Sequence, residues 1–180
     1  MAHPRARALL LALPLLALVL WPTPGLAAAV GPRGSGAIVV NELAAGRYVE
    51  LRNVAQSTMD ISGYNLWLCD ADGVVSHQRL AVGQALEPGG FYVFAAASFS
   101  GGPVDQTYRG TFPRGGAMLL DPGYGWVDGV AVVPDSPCGV GDPAPACPGE
   151  ATARDASSTS SGDNARDFTC RTMSPGAPNE

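Results

Sequence analysis

The stretch 41-NELAAGRYVELRN-53 decides the fold. Apolar and polar residues alternate on both sides of Ala44, Ala45 and Gly46, which is the pattern of two half-buried β-strands joined by a tight turn. It also carries two glutamates, Glu42 and Glu50. A three-residue turn at Ala44–Gly46 would set Leu43 opposite Arg47, Glu42 opposite Tyr48 and Glu50 opposite Val40. The glutamates would then share a face as diagonal neighbours about 7–8 Å apart. That spacing falls within the ~6.5–9.5 Å of an inverting glycosidase pair. A two-residue turn would shift the register by one and put them on opposite faces.

The surroundings of the pair speak for structure over catalysis. Arg52 stands two residues beyond Glu50, on the same side of its strand, and Ile38, Val40 and Tyr48 make the even-numbered face apolar. Buried carboxylates persist when they are paired or hydrogen-bonded. Arg154, alone in a polar segment, is the expected distant partner, since bidentate pairing to carboxylates is the particular strength of arginine.

Further runs of the same kind follow: Ile61–Asp70, Phe91–Ala97, Ala117–Asp121 and Trp126–Val133, preceded by Ala37–Leu43 and Arg47–Asn53. Between them stand Asp72-Gly73, Pro88-Gly89-Gly90, Gly101-Gly102-Pro103, Gly115-Gly116 and Asp121-Pro122-Gly123. Short apolar or aromatic runs punctuated by glycine and proline predict an all-β antiparallel sandwich or barrel. Pro134–Pro148 reads as an irregular excursion and Ala151–Asn164 as a solvated loop, with a last strand within Asp167–Arg171.

Upstream, Arg5 and Arg7 precede an apolar run from Ala8 to Trp21, then Pro22, Pro24 and small residues to Ala27 or Ala29. This is the build of a cleaved secretory signal, residues 1–29, with an uncleaved anchor as the alternative. A flexible linker, 30–36, and a domain over 37–180 follow. The expected location is extracellular. The chain has a formal net charge of −5; without Arg5 and Arg7, nine arginines face sixteen carboxylates, a net charge of −7, and no lysine occurs. Nothing here would neutralise a phosphate backbone, so nucleic acid is disfavoured as a partner.

All four cysteines, Cys69, Cys138, Cys147 and Cys170, lie beyond the signal, where an oxidising space would pair them as two disulfides. Three connectivities are open. The short Pro/Gly-rich loop favours Cys138 with Cys147 and, by elimination, Cys69 with Cys170. No CxxC pair suggests zinc.

Taken together, IVVNEL, YVELRN, MDISGYNLWLCDADG, LEPGGFYVF, MLLDPGYGWVDGV and ARDFTCRTMSPGAPN resemble the lamin tail domain of secreted bacterial proteins. The matching positions are Asn41-Glu42, Val49-Glu50-Leu51 with Asn53, Asp60-Ile61-Ser62-Gly63 with Tyr64, and Leu66. They continue through Pro88-Gly89, Gly125, Asp128, Arg154, Asp167-Phe168 and Ser174-Pro175-Gly176 with Asn179. The resemblance spans Ala37 to Asn179 and implies an immunoglobulin-like β-sandwich acting as a non-catalytic module. The chain departs from that pattern at Ala151-Thr152, where a serine commonly precedes the arginine. It departs again at Ser157–Gly162, where bacterial members are often acidic and could offer calcium ligands.

Other constellations carry less chemistry. Asp70 and Asp72 begin like a Ca²⁺ loop but no terminal glutamate arrives in register, so a hairpin turn is the plainer reading. His77 is the one histidine after the signal, and no G-x-S-x-G, P-loop, dinucleotide fingerprint or H-E-x-x-H is present. No cofactor is therefore expected. Trp67, Tyr92, Phe94, Tyr108, Tyr124 and Trp126 either fill a sandwich core or form a sugar-stacking platform. The expected function is binding or scaffolding, with an unidentified protein or an envelope glycan as partner and a Glu42/Glu50 hydrolase as the remote alternative.

Overall fold

The fold is that of a computed structural model describing residues 36–180. The expected export signal and linker residues 30–35 lie outside the described residues. The protein is all-β. In chain order the strands are β1 (Ile38–Ala44), β2 (Tyr48–Asn53), β3 (Met59–Asp60), β4 (Asn65–Asp70), β5 (Gly73–Arg79) and β6 (Ala85–Leu86). They continue as β7 (Phe91–Ala96), β8 (Gln106–Tyr108), β9 (Gly116–Leu120), β10 (Trp126–Ala131), β11 (Ala151–Ala153) and β12 (Thr169–Arg171). A single helical turn, α1 (Asn164–Asp167), precedes β12 and is capped by the Asp163 side chain, which accepts from Ala165 N.

The strands form a six-stranded sheet in the order β12-β11-β1-β2-β7-β8, a four-stranded sheet β10-β9-β4-β5 and a small β3-β6 ribbon. Every pairing is antiparallel except β7 with β8. Period-two alternation sends one side of each strand into a shared core. Val40, Leu43, Val49, Leu51, Tyr92 and Phe94 from the first sheet meet Leu66, Leu68, Ala117, Leu119 and Val130 from the second, with Phe112 and Phe168 closing the ends.

The opening hairpin differs from the expected register. Its turn is Ala45–Arg47, so that Ala44 faces Tyr48 and Leu43 faces Val49. Gly46, at φ +77°, takes the left-handed conformation that lets Arg47 N reach Ala44 O at 2.8 Å. The same register sets Glu42 directly opposite Glu50, and a β-bulge then falls between Val40 and Glu42, leaving Asn41 as the extra residue. The bulge flips the phase of β1: Ile38 and Val40 face the core before it, Leu43 after it. Both glutamates thus lie on the outer side of the six-stranded sheet, with Ala44 and Tyr48.

That outer side is covered. Ala44, Tyr48, Val93, Ala95, Ala151 and Ala153 form a second apolar layer with Phe99 and Met173 packed on it. The segment from Met173 to Asn179 crosses it as a strap.

The disulfides are Cys69–Cys138 and Cys147–Cys170, not the expected Cys138–Cys147 and Cys69–Cys170. The reason is topological. The 134–148 segment leaves β10 in one sheet and enters β11 in the other, so its two cysteines are carried to different sheets. Cys138 lands on Cys69 of β4, and Cys147 lands on Cys170 of β12, the neighbour of β11. No helix among the described residues is long and apolar enough to cross a membrane.

Candidate functional site

Arg154 is fully buried, and its partners are Asp128 and Asp167, both at 2.9 Å, in place of the expected glutamates. The expected solvated loop Ala151–Asn164 therefore begins as a buried strand, and Ser158 and Asn164 within it are buried too. Beyond the bulge, β11 no longer pairs with β1, and side chains take over the ladder. Val40 N donates to Asp128 Oδ2 at 2.8 Å and Arg154 Nε donates to Val40 O at 2.8 Å. The ion pair thus satisfies backbone that a strand would otherwise serve. Arg154 Nη1 also donates to Thr159 O, and the guanidinium lies 4.3 Å over the Phe168 ring.

Burial pushes the Asp128 carboxyl up to about 6, against the pull of Arg154 and the Val40 N–H. For Asp167 burial acts upward too, but the Ser161 and Arg154 hydrogen bonds together outweigh it and hold the group low.

Glu42 and Glu50 have no measurable exposure and no arginine partner. Glu42 accepts from the Tyr48 hydroxyl, from Ser174 N at 3.2 Å, and lies 3.2 Å from Ser174 Oγ. Glu50 accepts from Asn41 Nδ2 at 2.7 Å and Gly176 N at 2.5 Å. Arg52, expected to pair with Glu50, instead reaches Ala156 O and Ser158 Oγ. Burial raises both carboxyls above their ordinary values, the charge of Glu42 adding to the rise at Glu50, and burial with the neighbouring Glu42 raises the Tyr48 hydroxyl. Asn179 completes the cluster, its Nδ2 donating to Asn41 O, Asn41 Oδ1 and Arg154 O.

The strap is seated over both glutamates, and their oxygens are engaged by the chain itself. A surface hollow nearby, about 470 Å³, opens between the Gly46-Arg47 turn, Ser98–Gly101 and the strap residues Met173 and Pro175. Neither glutamate lines it.

The aromatic residues divide. Tyr92 and Phe94 are buried, and Tyr108 packs against Phe94 and Phe112 in the core. Trp67, Tyr124 and Trp126 gather instead on the outer side of the four-stranded sheet. Trp67 stacks on His77 with ring centroids 4.1 Å apart, and Tyr124, 64% exposed, stands 6.4 Å from Trp67. Tyr124 adopts φ +66° on a turn held by Asp121, whose Oδ1 accepts from Gly123 N and Gly125 N. Left-handed backbone is uncommon for a bulky residue and here turns the ring outward.

Asp70 and Asp72 are exposed at the β4–β5 hairpin end, and among the described residues no cluster of three metal-ligating side chains forms. Asn164 gave no signal in the sequence. It accepts from Ala131 N and Val140 N and donates to Gly129 O, tying the crossover segment to β10. An Asx residue behind a capping aspartate is too common a pattern to reveal this.

No protein-family model matches the chain, and no curated protein matches it at a significant level.

Proposed function

We propose that this chain is a secreted, non-catalytic binding or scaffolding module of the lamin-tail type, an immunoglobulin-like sandwich. One observation carries the reading. Asn41, Glu42, Glu50, Asp128, Arg154, Asp167, Ser174, Gly176 and Asn179, scattered over the sequence and all among the residues of the resemblance, meet in one polar network with a buried centre. Such convergence is expected of a structural signature. It is not expected of an active site, whose acid and base need access to a substrate. The two disulfides suit an oxidising, extracellular location. The partner is an unidentified protein, and the acidic surface disfavours nucleic acid.

The exposed Tyr124 beside the Trp67–His77 stack favours a second reading, glycan binding on the four-stranded sheet. Aromatic faces take up the apolar side of sugar rings. A thermal-shift series of the purified protein against Ca²⁺, EDTA, cell-wall fragments and DNA separates these readings. The protein-partner reading expects no shift with any of the four. A stabilisation by cell-wall fragments that disappears in Tyr124→Ala would replace it with the glycan reading, and hydrolysis of the fragments would overturn both.

A further inference from the structure

We propose that Glu42 and Glu50 share a single proton that latches the C-terminal strap, Met173–Asn179, onto the six-stranded sheet, and that loss of this proton releases the strap. The directions of the hydrogen bonds place the proton. Arginine can only donate, so Arg52 Nη1, 2.9 Å from Ser158 Oγ, obliges that hydroxyl to give its own proton to Asn41 Oδ1 at 2.6 Å. Asn41 is thereby oriented with Nδ2 toward Glu50 Oε1, and Gly176 N donates to Glu50 Oε2. Both Glu50 oxygens face donors, so Glu50 is the acceptor member of the pair.

The other branch ends differently. Asn179 Nδ2 is surrounded by three oxygens, those of Asn41 O, Asn41 Oδ1 and Arg154 O, at 3.3, 3.2 and 3.0 Å, which fixes the orientation of its amide. Its Oδ1 therefore takes the proton of Ser174 Oγ at 3.0 Å. That hydroxyl has only one proton to give. The remaining contact, Ser174 Oγ with Glu42 Oε2 at 3.2 Å, is complete only if Glu42 carries a proton there. Glu42 Oε1 is the acceptor for Tyr48 and the nearer acceptor for Ser174 N, which also stands 3.4 Å from Oε2.

No cation is paired with either carboxyl among the described residues, although the charge of Arg52 opposes part of the effect of burial on Glu50. From β1 the site receives Glu42; from β2, Tyr48, Glu50 and Arg52, whose guanidinium is directed to Ala156 O and Ser158. From β7 come Val93 and Ala95, and from β11 Ala151 and Ala153, all apolar. The strap offers Ser174 and Asn179, while Arg47 at the hairpin turn donates to Met173 Sδ at 3.2 Å. The ion pairs among the described residues belong to Arg154. Deprotonation would leave two directly opposed carboxylates in a dry site, an arrangement relieved only by admitting water. The strap is the removable wall, because Ser174, Gly176 and Asn179, its three polar anchors, all bind within this cluster.

The test is a carboxyl ¹³C NMR titration of the purified protein, paired with amide hydrogen exchange at Gly176 and Ala177 corrected for the intrinsic pH dependence of exchange. One glutamate of the pair is expected to titrate above about pH 6, with strap protection falling at least about tenfold over the same range. Ionisation of both below about pH 5.5, or strap protection unchanged through the titration, would overturn the proposal. The isosteric amides add a second arm. Glu42→Gln, whose NH₂ can donate to Ser174 Oγ, should keep the strap protected at every pH. Glu50→Gln points an NH₂ at existing donors and should loosen the strap at every pH. The reverse ranking would refute the placement of the proton.

Discussion

Arg154 donates to Val40 O, Thr159 O, Asp128 and Asp167 while its flat face covers Phe168, and no lysine can serve all of these directions. Removing one partner of a buried pair strands the other charge. Arg154→Met should therefore cost roughly 3–5 kcal/mol in urea unfolding, and Arg154→Lys should recover only a minor part of it. Gly176 has a different constraint. It sits at φ +80°, and a Cβ there would come within 2.5 Å of the Pro103 ring, so alanine must displace the N–H that serves Glu50. Gly176→Ala should destabilise by roughly 1–3 kcal/mol in the same assay. The importance of Arg154 was legible from its isolation in a polar segment, but its partners were not. Asp128 and Asp167 offer carboxylates no different in sequence from Glu42 and Glu50; the bulge at Asn41 turns Glu42 to the outer side, where strand alternation between Val49 and Leu51 already puts Glu50.

At the scale of elements, the strands were legible wherever period two was clear, as in β2, β4 and β7. The short strand β11 was hidden because Ala151–Ala153 owes its burial to neighbours on either side, not to its own hydrophobicity. The hairpin turn was placed one residue early, which shifts each partner across the strands by two, and the bulge beyond it leaves no mark in composition. The cysteine pairing failed for a related reason: closeness in sequence is a poor guide when the intervening segment changes sheets. Peptide mapping without reduction should recover Cys69 joined to Cys138 and Cys147 joined to Cys170. The closed loops differ, with sequence separations of 69 and 23, so the first bridge constrains the unfolded chain more. Replacing Cys69 and Cys138 by alanine should cost about 4 kcal/mol, and Cys147 with Cys170 about 3 kcal/mol, in the chain-entropy description.

Across the whole molecule, buried carboxyls set an unusual dependence on pH. Glu42, Glu50 and Asp128 are raised above their ordinary values, Asp128 to about 6. A carboxyl raised in the folded state holds its proton after the unfolded chain has lost it, so stability falls as pH climbs from the unfolded value toward the folded one. Asp60, Asp155 and Asp167 are lowered and act in the opposite sense, their stabilisation being lost as pH drops below the ordinary aspartate range. The resemblance pointed to the residues of this network but not to its charge balance, which depends on which acids meet an arginine. Equilibrium urea unfolding from pH 4.5 to 8 tests the central claim, that the two glutamates are buried members of the fold without cationic partners. Stability should be greatest near the acidic end and decline by roughly 2–5 kcal/mol toward pH 8. A rise over that range, as arginine-paired carboxylates would give, or a flat profile, as exposed ones would give, would contradict it.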